Sequence, residues 1–93
     1  MNLTSRPRRH PDAVYKIVDD EALIVVPGSD AQHLVLNVVG ARAWELMDGD
    51  HDLKSISEQL TMEFDVDLDE AGRDLNELIA DLQEHGAMDT TTN

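Results

Sequence analysis

Residues 34–49 read LVLNVVGARAWELMDG, and they mark the point where the predicted structure changes from strand to helix. The apolar run that ends at Leu36 is short, as β-strands are. Asn37 is a favourable helix N-cap, because its side chain can accept a hydrogen bond from a backbone N–H group of the first helical turn. Apolar residues then recur at helical spacing, and Gly49 suits the left-handed conformation that often ends a helix. The segment therefore predicts a strand before Asn37 and a helix after it.

The residues before this segment predict an antiparallel meander. Val14–Val18 is β-branched and aromatic apart from Lys16, and residues 22–26 are continuously apolar. The residues PGSD at 27–30 are a strong turn signal, and His33–Leu36 forms the third short run. Both alternating sets of side chains in the second run are apolar, so neither face of that strand favours water. We expect helices to cover one face of the sheet and something else to cover the other.

The residues after the quoted segment predict two more helices. Asp52 begins the second helix, in which apolar residues occur at steps of three and four. Asp67 and Glu70 form a capping box at the start of the third helix, and Gly86 ends it. None of the three helices can bury its apolar stripe alone, so they should pack together and against the sheet. The predicted fold class is α+β and winged-helix-like, with a three-stranded antiparallel meander followed by a three-helix bundle.

The length of 93 residues is typical of one domain, and 41% hydrophobic residues can supply a modest core. We expect residues 1–12 to be a flexible, arginine-rich N-terminal tail, residues 13–88 to form the domain and residues 89–93 to be a flexible C-terminal tail. No run approaches the roughly 18 apolar residues of a membrane span, so we expect a cytoplasmic protein that does not bind membranes. Cysteine is absent, which excludes disulfides, thiolate metal sites and a cysteine nucleophile.

The charge of the chain argues against a nucleic-acid partner. Seven basic residues stand against 20 acidic ones, for a formal net charge of −13. A DNA or RNA binder neutralises phosphates with clustered lysine and arginine, and beyond residue 12 this chain has only Lys16, Arg42, Lys54 and Arg73. The acidic surface either keeps the protein soluble or attracts a basic partner, and the sequence leaves both readings open.

Neither catalysis nor metal binding is predicted. The serines and histidines show no spacing that suggests a catalytic triad, so we expect no enzyme activity and no cofactor. Asp48, Asp50 and Asp52 match positions one, three and five of a calcium-binding loop. Position six would be Leu53 instead of glycine, and position twelve would be Gln59, which cannot supply a bidentate carboxylate. We therefore expect these aspartates to cap helices and solvate loops.

A spaced series of residues runs from the third strand to the end of the third helix. Its members are Leu36, Asn37, Gly40, Trp44, Glu45, Leu46, Asp48, Gly49, Ile56, Leu60, Ala71, Asp74, Leu75, Leu82 and Gly86. This series resembles the PqqD-like family over residues 34–88. Members of that family are recognition elements and chaperones for precursor peptides that are made on the ribosome and then modified. Most of the series also has a structural explanation in helix capping and packing.

The resemblance implies that the leader segment of a precursor peptide adds as a strand to the third strand, beside the third helix. Edge strands offer unpaired N–H and C=O groups for such an addition. The implied peptide-binding residues are Gln32, His33, Leu34, Val35 and Leu36 on the strand, and Leu75, Leu78, Ile79 and Leu82 on the helix. The implied second partner is a modifying enzyme, often a radical S-adenosylmethionine (radical SAM) enzyme in the resembled family. Pyrroloquinoline quinone synthesis, a lasso peptide pathway and other peptide pathways stay open, as does a general interaction or regulatory module without a precursor peptide.

Overall fold

The computed structural model describes residues 5–26 and 33–88. Its elements follow the chain in the order β1 (Val14–Val18), β2 (Glu21–Val25), β3 (His33–Leu36), α1 (Val38–Leu46), α2 (Leu53–Glu63) and α3 (Leu68–Glu84). The predicted α+β class and the order of three strands before three helices are confirmed. The turn signal at 27–30, Gln32 and the C-terminal residues 89–93 lie outside the described residues.

The sheet has the strand order β1-β2-β3, and both pairs are antiparallel. Alternate side chains of β2 face opposite sides, so Ala22 and Ile24 are fully buried beneath the helices. Leu23 and Val25 point the other way and are 37% and 38% exposed. The expectation that helices cover one face is confirmed. On the opposite face, no element of the described chain covers Leu23 and Val25.

Each helix begins where its N-cap residue predicts. The side chains of Asn37, Asp52 and Asp67 accept backbone N–H hydrogen bonds of 2.8–2.9 Å from the residue three positions later. The end of α3 is equally local: Gly86 has a φ of 76°, and the N–H of Ala87 donates to the carbonyl of Leu82. A side chain in that left-handed conformation would be strained, which explains glycine at this position.

Residues 5–12 lie against the helical half of the domain. The N–H groups of Arg9 and His10 donate to the carbonyls of Met47 and Ala87 at 3.0 and 2.9 Å. The carbonyl of Pro7 accepts from the N–H of Gly49, and that of Ser5 accepts from Leu53. The sequence predicts a flexible tail here, because Pro7 and Pro11 stand among arginines. Its hydrogen bonds join it instead to the loop between α1 and α2 and to the residues after α3.

The loop after α1 is organised by the Asp48 carboxylate. Its Oδ1 accepts from the N–H groups of Asp50 and His51 at 2.9 and 3.1 Å, and the His51 ring nitrogen lies 3.0 Å from it. Burial alone would raise the pKa of Asp48, but these backbone hydrogen bonds and the His51 ring outweigh it and lower the pKa to about 2. The loop that receives the N-terminal segment is therefore held by an ionised carboxylate.

Replacing Asp48 by asparagine should destabilise the fold at pH 6 by about 1 kcal/mol. A carboxyl whose pKa is lower in the folded state stabilises it above the unfolded pKa, and that stability is lost as the pH falls from about 4 to about 2. Thermal unfolding of the variant and the parent should therefore differ at pH 6 and converge near pH 2. Asp50→Asn is the control, because the Asp50 side chain makes no hydrogen bond within the described residues. A difference that persists unchanged at pH 2 would contradict this role of Asp48.

Candidate functional site

A groove of about 760 Å³ lies where the end of β3 and the start of α1 approach α3. Its volume falls within the roughly 300–1,000 Å³ of pockets that bind small ligands, and it is open to solvent along its length. The lining residues come from all of these elements and from α2: Val35, Leu36, Asn37, Val39, Gly40, Ala43, Leu60, Asp74, Leu75, Glu77, Leu78 and Asp81. Its floor is apolar and its α3 side is acidic.

The wall on the α1 side depends on the close approach of Gly40 to the end of β3. A Cβ atom at this position would lie 3.3 Å from the Asn37 Oδ1 atom and 3.3 Å from the Leu36 Cβ atom. The Gly40 N–H also donates to Asn37 Oδ1 at 2.9 Å, so the N-cap side chain of α1 contacts Gly40 directly. A side chain at this position would require Asn37 or Leu36 to shift by a few tenths of an ångström. This contact gives a physical reason for glycine at position 40, a member of the spaced series that the sequence alone did not explain.

The strand β3 contributes an open backbone edge next to the groove. It pairs only with β2 in the described sheet, so its other edge has N–H and C=O groups free to bind a further strand. Val35 and Leu36 line the groove, and Val35 is 66% exposed. Leu34 is half-buried and packs against the core instead. His33 belongs to the strand by its backbone.

The four predicted residues of α3 occupy two different surroundings. Leu75 and Leu78 line the groove, with Leu75 buried in its floor and Leu78 half-buried. Ile79 and Leu82 are 5% and 1% exposed and belong to the core without lining the groove. The role of all four in binding a peptide stays a prediction, and the groove geometry favours the first two.

The groove also contains residues that the sequence did not suggest as a site. On α3 these are Asp74, Glu77 and Asp81, and on the opposite wall they include Asn37 and Val39. Helical spacing could have indicated two of the α3 residues, because positions 74 and 81 lie four before and three after Leu78 and so share its side of the helix. The α1 wall depends on how α1 packs against the sheet, which no local pattern shows.

The groove lining has no residue pair of the kind used in nucleophilic catalysis. Its described residues include no serine, threonine, histidine, lysine or arginine. His51 lies beside Asp48 away from the groove, and His85 lies beside the groove residue Asp81; both histidines are partly exposed. Among residues 5–26 and 33–88, no group of three or more histidine, aspartate or glutamate residues is arranged to hold a metal ion. Within the same residues, no helix is both long and apolar enough to cross a membrane.

Comparison with known proteins adds a family and two similar folds. The family described as Coenzyme PQQ synthesis protein D (PqqD) matches residues 21–87, which confirms the resemblance drawn from the sequence. The structure of "TbiB1 in Complex with the TbiA(beta) Leader Peptide" is similar with a TM-score of 0.80 at 21% identity, over 92% of this chain and 99% of that chain. The structure of "Lasso peptide synthetase B1 complexed with the leader peptide" is similar with a TM-score of 0.77 at 23% identity, over 90% and 98%. Among curated proteins, no sequence matches this chain.

Proposed function

Because this chain belongs to the PqqD family, we propose that it binds the leader segment of a ribosomally made precursor peptide and presents it to a modifying enzyme. The observation that carries the proposal is the open edge of β3 beside an apolar groove. Two proteins of the same fold were solved with leader peptides bound, which supports a peptide as the occupant.

The geometry suits an extended peptide because the strand edge and the groove would have different roles: the edge would supply affinity and the groove would select among peptides. Backbone hydrogen bonds to β3 would hold any extended segment, whatever its side chains. Alternate side chains of that segment would then face the groove, where the floor that includes Leu36 and Leu75 is apolar. Burying one leucine or similar side chain there contributes about 1.5–3 kcal/mol, so a few well-placed apolar residues would decide which peptide binds.

The proposed role is to bind and present, without catalysis. The described residues that line the groove include no hydroxyl nucleophile and no histidine or lysine base, so we assign the covalent chemistry to a second protein. We propose a modifying enzyme as that partner, in the cytoplasm where precursor peptides are translated. A radical SAM enzyme and the enzymes of a lasso peptide pathway are both compatible with this role.

A titration of isotope-labelled protein with the leader peptide of a precursor encoded beside this gene tests the proposal. Backbone resonances of Leu34, Val35 and Leu36 should shift, together with those of Leu75 and Leu78. Shifts confined to other parts of the domain would contradict binding in the groove. No binding of any neighbouring leader peptide would favour a general interaction module instead.

Leu78→Gln should weaken leader binding about tenfold while the protein stays folded. Leu78 is half-buried, so its removal takes apolar area from the groove without opening the core. The matched control is Leu68→Gln, on the same helix at a position that is 51% exposed and outside the groove lining. Isothermal titration calorimetry measures both affinities, and thermal unfolding checks both folds. Equal affinities for the two variants would show that the peptide binds elsewhere.

A further inference from the structure

The groove has a charge pattern as well as an apolar floor. Asp74, Glu77 and Asp81 follow one another on α3 at steps of three and four, so they lie along one side of the helix. All three line the groove, and none of its other described lining residues is basic. Among the described lining residues, whatever enters the groove therefore meets negative charge next to an apolar floor.

Two of these carboxylates have no partner within the described residues. The side chains of Asp74 and Glu77 form no ion pair or hydrogen bond there, and Asp81 has only the His85 ring, at 3.7 Å. Glu63 on α2 shows the contrast, because its two carboxylate oxygens accept from Arg42 Nε at 2.9 and 3.0 Å. The groove carboxylates are thus left available to a cation from outside the chain.

We propose that the groove selects peptide segments that carry a lysine or arginine two residues from the apolar side chain that fills it. The inference rests on the proposed function, since it takes the occupant to be an added strand. In such a strand, residues i and i+2 face the same side, so both would lie along the groove. A basic side chain would place its aliphatic stem on the apolar floor and its charge toward Asp74 or Glu77. Surface ion pairs of this kind change affinity by about two- to fivefold each.

A selection of random 15-residue peptides by mRNA display tests the proposal without assuming a precursor. Three baits are compared: the parent protein, the groove variant Asp74→Asn with Glu77→Gln, and the control variant Asp65→Asn with Glu58→Gln. Asp65 and Glu58 are exposed, lie outside the groove lining and have no side-chain partner among the described residues. Because both variants lose one aspartate and one glutamate, their net charges are equal, and general attraction of basic peptides affects them alike.

Peptides selected by the parent and by the control variant should be enriched in lysine and arginine two positions from an apolar residue. In peptides selected by the groove variant, this enrichment should be at least about twofold smaller. Affinity of the selected peptides should also fall as salt is raised from 50 to 500 mM, more for the parent than for the groove variant. Peptides that shift Leu34–Leu36 but show no such enrichment would overturn this inference and leave the proposed function intact. If no selected peptide shifts Leu34–Leu36, the proposed function fails, and the inference fails with it.

Discussion

Replacing Arg9 by alanine is expected to lower the free energy of unfolding by about 2–3 kcal/mol, a fall in Tm of roughly 10–20 °C. The Arg9 guanidinium donates to the carbonyls of Trp44 and Glu45 at 2.9 and 2.8 Å, in the last turn of α1. A cation is stabilising there, since it donates to carbonyls of the last helical turn and complements the helix dipole; the Trp44 carbonyl also accepts from the Met47 N–H at 3.1 Å.

The same guanidinium also joins the two halves of the domain. It lies 5.4 Å from the ring centroid of Tyr15 on β1 and 5.8 Å from that of Trp44 on α1. The two rings contact each other edge to face, with centroids 5.6 Å apart. Truncating Arg9 therefore removes two hydrogen bonds that the charged guanidinium donates and two cation–π contacts at once.

Arg6→Ala is the matched control for Arg9→Ala. Arg6 lies in the same segment, carries the same charge and is exposed, with no side-chain hydrogen bond among the described residues. Its loss should change the free energy of unfolding by less than about 0.5 kcal/mol. Chemical denaturation of the two variants gives the comparison directly. Equal stabilities would mean that the N-terminal segment contributes nothing, as a flexible tail would.

The docking of this segment could not be predicted from the sequence, because its contacts are distant along the chain. The hydrogen bonds of Arg9 to α1 join residues 35 and 36 positions apart. No apolar periodicity within residues 5–12 indicates them, and Pro7 and Pro11 favour an irregular conformation. Three arginines in so short a stretch look like a solvated tail until the ends of α1 are known to lie beside them.

The helices could be predicted because their signals are local. Asn37, Asp52 and Asp67 each bond to an N–H three residues away, so the residues that begin a helix are neighbours in the sequence. The hairpin between β1 and β2 is local in the same sense: Asp19 and Asp20 both have positive φ, which a two-residue turn of this kind requires. Interactions between residues that are close in the sequence produce a recognisable sequence pattern, whereas interactions between distant residues do not.

The groove falls between these two cases. The apolar stripe of α3 predicted that Leu75, Leu78, Ile79 and Leu82 would be buried against something, and it could not divide them between core and site. Ile79 and Leu82 reach the core, whereas Leu78 stays half-buried beside the groove. The division depends on how far α1 and β3 stand from α3, and Gly40 is the residue that sets the α1 side.

N-methylation of a bound peptide is expected to weaken binding by about ten- to a hundredfold at every second residue. If the peptide adds to the open edge of β3, its N–H groups alternately donate to β3 and point away from it. A methyl group on a donating nitrogen removes the hydrogen bond and leaves a β3 carbonyl unpaired, a loss of about 1.5–3 kcal/mol. The tightest-binding peptide from the display selection, methylated at one nitrogen at a time, supplies the series.

The intermediate positions of the same peptide are the internal control. Their nitrogens face away from β3, so methylation there should change the Kd by less than about threefold. That change measures how far a methyl group disfavours the extended peptide conformation when no hydrogen bond is lost. The series requires no change in the protein, which removes folding as an explanation for any loss. An effect that follows apolar side chains, instead of alternating along the backbone, would show that the groove binds the peptide without strand addition. Alternation over three or more residues would show that the peptide pairs with an edge strand, and accompanying shifts of Leu34–Leu36 would identify that strand as β3 and not β1, the other edge of the sheet.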